Sequence, residues 1–157
     1  MKKVLILCLL ILISCSKSDF EEDPREAYFR EAIIGSWSIN TITVDGQTFL
    51  YKHTENCEKD LFQFYNEEGK EFDFEETVVL NCSNCAPCAT SGTNLKWELE
   101  GDIINLYFGD QLILNYKIIE VTENIFIYEV VIDYDNDGEK ETLQIKADKY
   151  DPYNDFS

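Results

Sequence analysis

Residues Asn94–Val121, NLKWELEGDIINLYFGDQLILNYKIIEV, carry the clearest structural pattern in the chain. Apolar and polar side chains alternate along it, and the alternation is interrupted at Gly101-Asp102 and again at Gly109-Asp110. A period of two places successive side chains on opposite faces of a strand, and Gly-Asp pairs are typical of tight turns. The stretch therefore predicts three antiparallel strands, Asn94–Glu100, Ile103–Phe108 and Gln111–Val121.

The same alternation recurs on both sides of this stretch, whereas helical spacing occurs in one short segment that Pro24 opens and Gly35 ends. A meander of hairpins must bury its apolar face, and closure into a barrel also removes exposed strand edges. We therefore predict an all-β antiparallel meander that closes into a β-barrel of about eight strands, with one short N-terminal helix. The further predicted strands are Ser36–Val44, Gln47–Tyr51, Asp60–Asn66, Glu71–Leu80, Ile125–Tyr134 and Lys140–Asp148.

The N-terminus has the layout of a secretory signal peptide. Lys2 and Lys3 precede an uninterrupted apolar run, Val4–Ile13, and a polar segment follows it. The run is shorter than the roughly 20 residues that a membrane-spanning helix needs. We therefore divide the chain into a signal peptide (1–14), an acidic tether (15–23), a barrel domain (24–150) and a polar tail (151–157).

Leu12-Ile13-Ser14-Cys15 resembles the lipobox of bacterial lipoproteins. The resemblance implies cleavage before Cys15, a thioether-linked diacylglycerol on its sulfur and an acylated amine. Several acyl chains anchor a protein stably in a lipid bilayer, where one chain binds marginally. Because Ser16 rather than aspartate follows Cys15, the resemblance favours the outer membrane. The acidic tether resembles those of surface-displayed lipoproteins of Bacteroidota, which implies display at the cell surface. The alternative is an ordinary cleaved signal that leaves Cys15 unmodified.

The composition describes a folded, strongly acidic domain. The formal net charge of −18 repels nucleic acid and anionic lipid headgroups, so we expect neither as a partner. Acidic chains with few apolar residues tend to be disordered. Here 45% of the residues are hydrophobic and 13% are aromatic, which favours a folded core.

Two further stretches resemble one known family. Ala32–Ile39, AIIGSWSI, is similar to the helix-then-G-x-W opening of lipocalins and lipocalin-like domains, in which the tryptophan packs across one barrel end beneath the N-terminal helix. Cys57–Phe64, CEKDLFQF, followed by Gly69, resembles a stretch of small lipocalin-like lipoproteins of Bacteroidota. The resemblance implies a lipocalin-like barrel and does not specify a ligand.

Four cysteines remain beyond the signal peptide and Cys15. Cys57 stands alone, and Cys82, Cys85 and Cys88 lie in the irregular segment Asn81–Thr93. An even number of cysteines in an exported protein favours disulfides. We favour the pairs Cys57–Cys82 and Cys85–Cys88. Two alternatives stay open: four thiolates that hold zinc, and a redox-active pair at Cys85-Ala86-Pro87-Cys88.

The segment from Asp133 to Gly138, DYDNDG, matches the front half of a calcium-binding loop. Such loops supply oxygens from positions 1, 3 and 5 and turn sharply at a glycine in position 6. Gln144, rather than a bidentate glutamate, stands at position 12. We predict a calcium site at Asp133, Asp135, Asp137 and Glu139, with a plain acidic hairpin turn as the alternative.

Glu76 falls in phase with apolar neighbours on its predicted strand. An acid on an apolar face needs a partner or an opening. Either a bulge turns it outward, or it lines a ligand cavity together with aromatic side chains. The ligand-binding candidates are Glu76, Trp97, Phe72 and Phe74. His53, the one histidine, is expected to be solvated in a polar loop, so no Ser/His/Asp set and no enzymatic activity are expected.

These observations favour a lipid-anchored lipocalin-like barrel that binds a small apolar ligand or an envelope protein. The alternatives are a structural or assembly lipoprotein with a filled core, and a metal or redox protein built on the cysteines. A pocket of a few hundred Å³ among the aromatic side chains would favour ligand binding. A packed interior would favour the structural alternative.

Overall fold

A computed structural model describes residues 23–66, 71–80 and 86–151 of the chain. The predicted signal peptide, most of the tether and most of the tail lie outside these residues. The helix and strands are α1 (Pro24–Ala32), β1 (Gly35–Val44), β2 (Gln47–Leu50), β3 (Leu61–Phe64), β4 (Phe74–Val79), β5 (Thr90–Glu100), β6 (Ile103–Phe108), β7 (Gln111–Val121), β8 (Ile125–Ile132) and β9 (Glu141–Lys149).

The predicted all-β barrel is confirmed. Neighbouring strands pair antiparallel in the order β2-β1-β3-β4-β5-β6-β7-β8-β9, and β9 pairs back to β1. The closed circuit therefore contains eight strands, and β2 adds to β1 outside it. Several predicted strand boundaries differ from the observed ones, and the largest difference is at β5, which begins at Thr90 rather than Asn94. Residues 90–92 pair with β4 but are exposed on both faces, so they show no alternation of polarity.

β1 has different partners along its two edges. One edge pairs with β9 from Trp37 to Val44. The other edge is shared, because β3 pairs with residues 35–38 and β2 pairs with residues 41–44. β2 and β3 thus lie end to end along β1, and residues 51–60 loop out between them. We call this segment the 51–60 loop.

The pairing of β1 with β9 shifts between Ile39 and Thr41, which is a β-bulge at Asn40. β1 is therefore interrupted on both edges at nearly the same level: by the bulge on one side and by the 51–60 loop on the other. Bulges are frequent next to functional sites, because they redirect side chains and end regular pairing.

α1 covers one end of the barrel, which we call the capped end. Asp23 caps the helix by accepting a hydrogen bond from the amide of Arg25 at 2.8 Å. Trp37 is fully buried beneath the helix, and its Nε1 donates to the carbonyl of Ile33 at 2.7 Å. Tyr28 donates to the carbonyl of Val121 at 2.9 Å. The tryptophan thus occupies the position that the G-x-W resemblance implies.

Aromatic side chains fill the barrel interior. Ring centroids of Phe64 and Phe74 lie 5.1 Å apart, and those of Phe126 and Tyr128 lie 4.9 Å apart. Phe62 contacts both groups of rings. Such tilted and edge-on pairs stabilise a core beyond their buried area. Among the described residues, no helix is long and apolar enough to cross a membrane.

Candidate functional site

Glu76 points into the barrel, since it lies directly opposite the buried Phe62 in the pairing of β3 with β4. It lines a cavity of about 40 Å³ together with Tyr51 and Asp60. This volume is far below the few hundred Å³ of a typical ligand pocket. The structure therefore places Glu76 beside a cavity, as one of the two sequence interpretations expects, but the cavity is small.

The other three predicted ligand-binding residues do not line this cavity. Phe74 packs between Phe64 and Tyr116 in the core. Trp97 is buried and donates from Nε1 to the carbonyl of Tyr65 at 3.1 Å. Phe72 stacks on Phe108, which is largely exposed, at 6.4 Å. The four residues therefore do not converge on a common site.

Glu76 takes part in an interior cluster of ionisable groups that includes three tyrosines. Burial, and then the nearby negative charge of Asp60, raises the pKa of the Glu76 carboxyl. Burial is also the main cause that raises the pKa of Tyr51, Tyr116 and Tyr128, and the charge of Glu76 adds to the effect on each of them. The three phenols are therefore held neutral around a carboxyl that binds its proton more tightly than usual.

Asp60 is the buried carboxylate of the 51–60 loop, and its exposed fraction is 8%. Its Oδ1 accepts a hydrogen bond from the amide of Val79 at 2.6 Å, and its Oδ2 accepts one from the Tyr51 hydroxyl at 2.8 Å. Val79 lies beyond the last β4 residue that pairs with β3. The Asp60 side chain thus replaces the hydrogen bond that a longer β3 would have supplied.

His53 occupies the gap between β2 and β3, and the expectation that it is solvated was wrong. Its Nε2 lies 3.0 Å from the carbonyl oxygen of Ile39, and its Nδ1 accepts a hydrogen bond from the amide of Asp60 at 3.1 Å. Ile39 and Asn40 are the two β1 residues that pair with neither β2 nor β3. The imidazole therefore takes the place of a missing strand partner.

The structure also brings together a Ser, a His and an Asp, which the sequence did not predict. The Ser38 hydroxyl lies 3.3 Å from His53 Nε2, and Asp60 Oδ2 lies 3.7 Å from His53 Nδ1. Because Nδ1 accepts from a backbone amide, the proton of the neutral ring must be on Nε2, which donates to Ile39. An Nε2 that carries a proton cannot remove one from Ser38, so this arrangement differs from a catalytic triad.

A groove of about 380 Å³ opens on the outside of the barrel where β1 is interrupted. Its lining combines apolar side chains, two lysines and several polar groups. It consists of Ser38, Ile39, Asn40, Leu50, Tyr51, His53, Lys59, Asp148 and Lys149. No alternation pattern marks these residues, because the bulge and the 51–60 loop bring them together from separate parts of the chain.

Lys149 forms one wall of the groove. Its Nζ donates to the carbonyl of Ile34 and lies 4.3 Å from the centre of the Trp37 ring, a favourable cation–π distance. Burial lowers the pKa of this ammonium group. Gly35 allows the Lys149 side chain to approach the backbone, because a Cβ at this position would lie 2.6 Å from Lys149 Nζ. The φ of Gly35, +117°, is also one that glycine adopts readily.

Other side chains fix the remaining walls of the groove. The Asn40 amide, displaced by the bulge, donates to the carboxylate of Asp148. Lys59 lies 5.8 Å from the centre of the Tyr150 ring. Leu50, at the end of β2, is 75% exposed and supplies the most accessible apolar surface.

The favoured disulfide pairing was wrong, because Cys57 pairs with Cys88. The bond ties the 51–60 loop to the segment that precedes β5. Since each sulfur forms one disulfide, neither the pair Cys57–Cys82 nor the pair Cys85–Cys88 exists in this structure. Zinc bound by all four thiolates and the Cys85–Cys88 redox pair are contradicted for the same reason. Cys82 and Cys85 lie outside the described residues.

The predicted calcium residues lie in the β8–β9 loop and are only partly brought together. Oxygens of Asp133 and Asp135 approach each other, and the third carboxylate of the group comes from Glu141. Asp137 accepts a hydrogen bond from the amide of Glu139 at 2.8 Å, and neither residue joins this group. The sequence prediction therefore missed Glu141, the ninth residue counted from Asp133.

Comparison with known proteins adds a family to this geometry. Residues 33–128 match the model of a family described as lipocalin-like domain. A crystallised lipocalin-like protein from Bacteroides uniformis is structurally similar at a TM-score of 0.47 and 11% identity, with 76% of this chain and 99% of that chain covered. No curated protein matches the chain. Because the family model spans more than half of the sequence, the chain belongs to the lipocalin-like domain family.

Proposed function

We propose that this protein is a lipid-anchored cell-envelope lipoprotein whose barrel serves as a scaffold and whose ligand binds in the groove at the interruption of β1. The observation that carries the proposal is the contrast between about 40 Å³ beside Glu76 and about 380 Å³ in the groove. Pockets for small molecules occupy about 300–1,000 Å³. The proposal thus moves the site of the expected small apolar ligand from the barrel interior to the outer surface.

The lining of the groove suggests a ligand with an apolar body and one anionic group. Ile39, Leu50 and Tyr51 supply apolar surface, and Lys59 and Lys149 supply positive charge. An ammonium group has three donors, so Lys149 retains donors beyond the one that Ile34 accepts. The proposal includes no catalytic step, because His53 is held as a donor toward Ile39.

The fluorescent probe 1-anilinonaphthalene-8-sulfonate, an apolar anion, tests the groove directly. Leu50→Ser should weaken binding of the probe by about fivefold or more, since contact with a leucine side chain contributes at least about 1 kcal/mol. The matched control is Leu112→Ser, which changes another exposed leucine, on β7 and outside the groove lining. Equal weakening by the two variants, or none by Leu50→Ser, would contradict the proposed site.

The lipid anchor in the proposal is supported by Leu12-Ile13-Ser14-Cys15 and by the polar segment that follows. Cys15→Ala should release the protein from the outer-membrane fraction and abolish labelling with radioactive palmitate in the native cell. Leu12→Arg, which disrupts the same motif while keeping the cysteine, should have the same effect. Acylation that persists in Leu12→Arg would argue against recognition of this motif.

The packing of the interior favours a second candidate, an assembly lipoprotein with a filled core that binds no small molecule. Phe62, Phe64 and Phe74 occupy the space that a ligand would need. Native mass spectrometry of protein purified from its own envelope separates the two candidates. A retained small molecule supports the groove, whereas a co-purified envelope protein without a small molecule supports assembly.

A further inference from the structure

We infer that the β8–β9 loop, together with Glu141 at the start of β9, binds a calcium ion. One carboxylate oxygen from each of Asp133, Asp135 and Glu141 lies within 4.8 Å of the other two. Calcium binds oxygen ligands at about 2.3–2.6 Å, so ligand oxygens around one ion lie within about 5 Å of each other. The three oxygens therefore have the spacing that one shared ion would require.

A second observation points to a cation at this place. Asp133 Oδ1 is shielded from solvent and accepts no hydrogen bond, and it is the one such side-chain atom among residues 23–66, 71–80 and 86–151. The other oxygen, Oδ2, accepts from the amide of Gly138 at 3.1 Å. A buried carboxylate oxygen without a partner is costly, and a divalent cation would both neutralise and coordinate it.

Backbone amides hold the other two carboxylates in position. Asp135 Oδ1 accepts from the amide of Asp137 at 3.1 Å, and Glu141 Oε2 accepts from the amide of Tyr134 at 2.8 Å. Each carboxylate has a second oxygen with which to bind a metal. These bonds place the side chains before an ion arrives, which lowers the cost of gathering three negative charges.

The ligand chemistry selects calcium over other common ions. All three donors are carboxylates, whereas zinc prefers sites with nitrogen or sulfur ligands. Magnesium requires a compact octahedral shell at about 2.0–2.1 Å, and calcium tolerates six to eight ligands in an irregular arrangement. Three carboxylates would be completed by backbone oxygens or water. We expect such a site to have a dissociation constant of about 10⁻⁴–10⁻³ M, as in extracellular calcium modules.

Calcium at this site would stabilise the hairpin that closes the barrel. β8 pairs with β9 from Ile132 and Glu141 inward, and β9 then pairs with β1. An ion that binds only the folded loop raises the folding stability in proportion to the logarithm of its concentration. The melting temperature of the whole domain therefore reports on the site.

The test measures thermal unfolding in about 10 mM CaCl₂, in MgCl₂ at the same concentration and in NaCl of matched ionic strength. We expect calcium to raise the melting temperature above both of the other salts. Terbium luminescence supplies a second readout, since Tyr134 lies within the loop and can sensitise a bound terbium ion. Added calcium should displace the terbium and reduce the luminescence. A wild-type protein that shows the same melting temperature in all three salts would overturn the inference.

Matched variants locate the effect. Asp133→Asn should abolish both the calcium shift and the terbium signal, and Glu141→Gln provides a second variant if the first folds poorly. Asp110→Asn is the control, because Asp110 is an exposed aspartate in the β6–β7 turn and lies outside the carboxylate group. A calcium shift that survives both Asp133→Asn and Glu141→Gln would contradict binding at this loop.

Discussion

The capped end of the barrel and the 51–60 loop solve one problem in two ways. At the capped end, a helix covers the strand ends, and Trp37 is buried with a single hydrogen bond to Ile33. At the 51–60 loop, side chains take over the work of strands: Asp60 binds the free amide of Val79, and His53 binds the free carbonyl of Ile39. The capped end is stabilised mainly by apolar burial. The 51–60 loop is stabilised by side-chain hydrogen bonds that replace strand pairing.

The two regions therefore owe their stability to different interactions. Apolar burial is nondirectional and contributes in proportion to area, so the capped end should tolerate small shifts and lose most when a large ring is removed. In the 51–60 loop, each of these side-chain hydrogen bonds satisfies one backbone group, so the loop should be sensitive to changes in geometry. Substitutions in the two regions and in the core between them should therefore differ in their effect on the free energy of unfolding.

Trp37→Ala should destabilise the protein by about 3–5 kcal/mol, since it removes a fully buried ring beneath the helix and the partner of the Lys149 ammonium group. Urea unfolding followed by circular dichroism measures the loss. Leu112→Ala, on the exposed face of β7, should change the free energy of unfolding by only about 0.5 kcal/mol. Similar losses in the two variants would mean that the capped end does not depend on the ring.

Cys57→Ser and Cys88→Ser should each destabilise the protein by about 3–4 kcal/mol under oxidising conditions, because either removes a bridge between residues 31 positions apart. The double variant should lose no more than the single ones, since one bond is broken in all three. Thermal or urea unfolding measures the three losses. If the loss in the double variant equalled the sum of the two single losses, the pairing would be contradicted. Contacts other than the disulfide would then stabilise the 51–60 loop.

Glu76→Gln should stabilise the protein at neutral pH. Burial and the charge of Asp60 raise the folded-state pKa of Glu76. Below the unfolded-state pKa, Glu76 is protonated in both states, so its ionisation does not change the free energy of unfolding. As pH rises through the unfolded-state pKa, the unfolded state ionises first and the folding stability falls until the folded-state pKa is passed. Urea unfolding across pH should show the gain in Glu76→Gln at pH 7 and its disappearance in acid. The gain is expected to be smaller than either loss above.

Ser38→Ala should cost at most about 1 kcal/mol, since the hydroxyl makes only long contacts of 3.3 Å with His53 and 3.4 Å with the Asp60 carbonyl. Long-range proton–nitrogen NMR correlations should show the His53 proton on Nε2 in both the wild type and the variant. A proton on Nδ1 would reverse the tautomer assignment and would make Nε2 available as a base toward Ser38.

The regular part of the molecule could be predicted from the sequence because its signals are local. The alternation in Asn94–Val121 gave strands with the observed bounds in Ile103–Phe108 and Gln111–Val121. The G-x-W resemblance likewise implied the place of Trp37 beneath the helix. Each of these features depends on side chains within a few residues of one another, so the pattern and the structure agree.

The candidate site could not be predicted, because its residues meet only after the chain has folded. His53 and Ile39 are neighbours since the 51–60 loop returns to β1, and no local pattern encodes that return. The Cys57–Cys88 pairing follows from the same loop. Glu141 was missed for a different reason, because the calcium-loop spacing was compared at its twelfth position, whereas the hairpin brings the ninth position to the carboxylates.

The barrel is closed by the pairing of its first strand with its last, with Trp37 opposite Lys149. A chain that emerges with its N-terminus first, from a ribosome or across a membrane, presents β1 long before β9 is available. Until β9 emerges, β1 has an unpaired edge that can join other chains. Closure therefore has to be one of the last folding events, and pairing between such distant segments is slow. Nascent chains of this protein should depend on a holdase chaperone until the final strand is available.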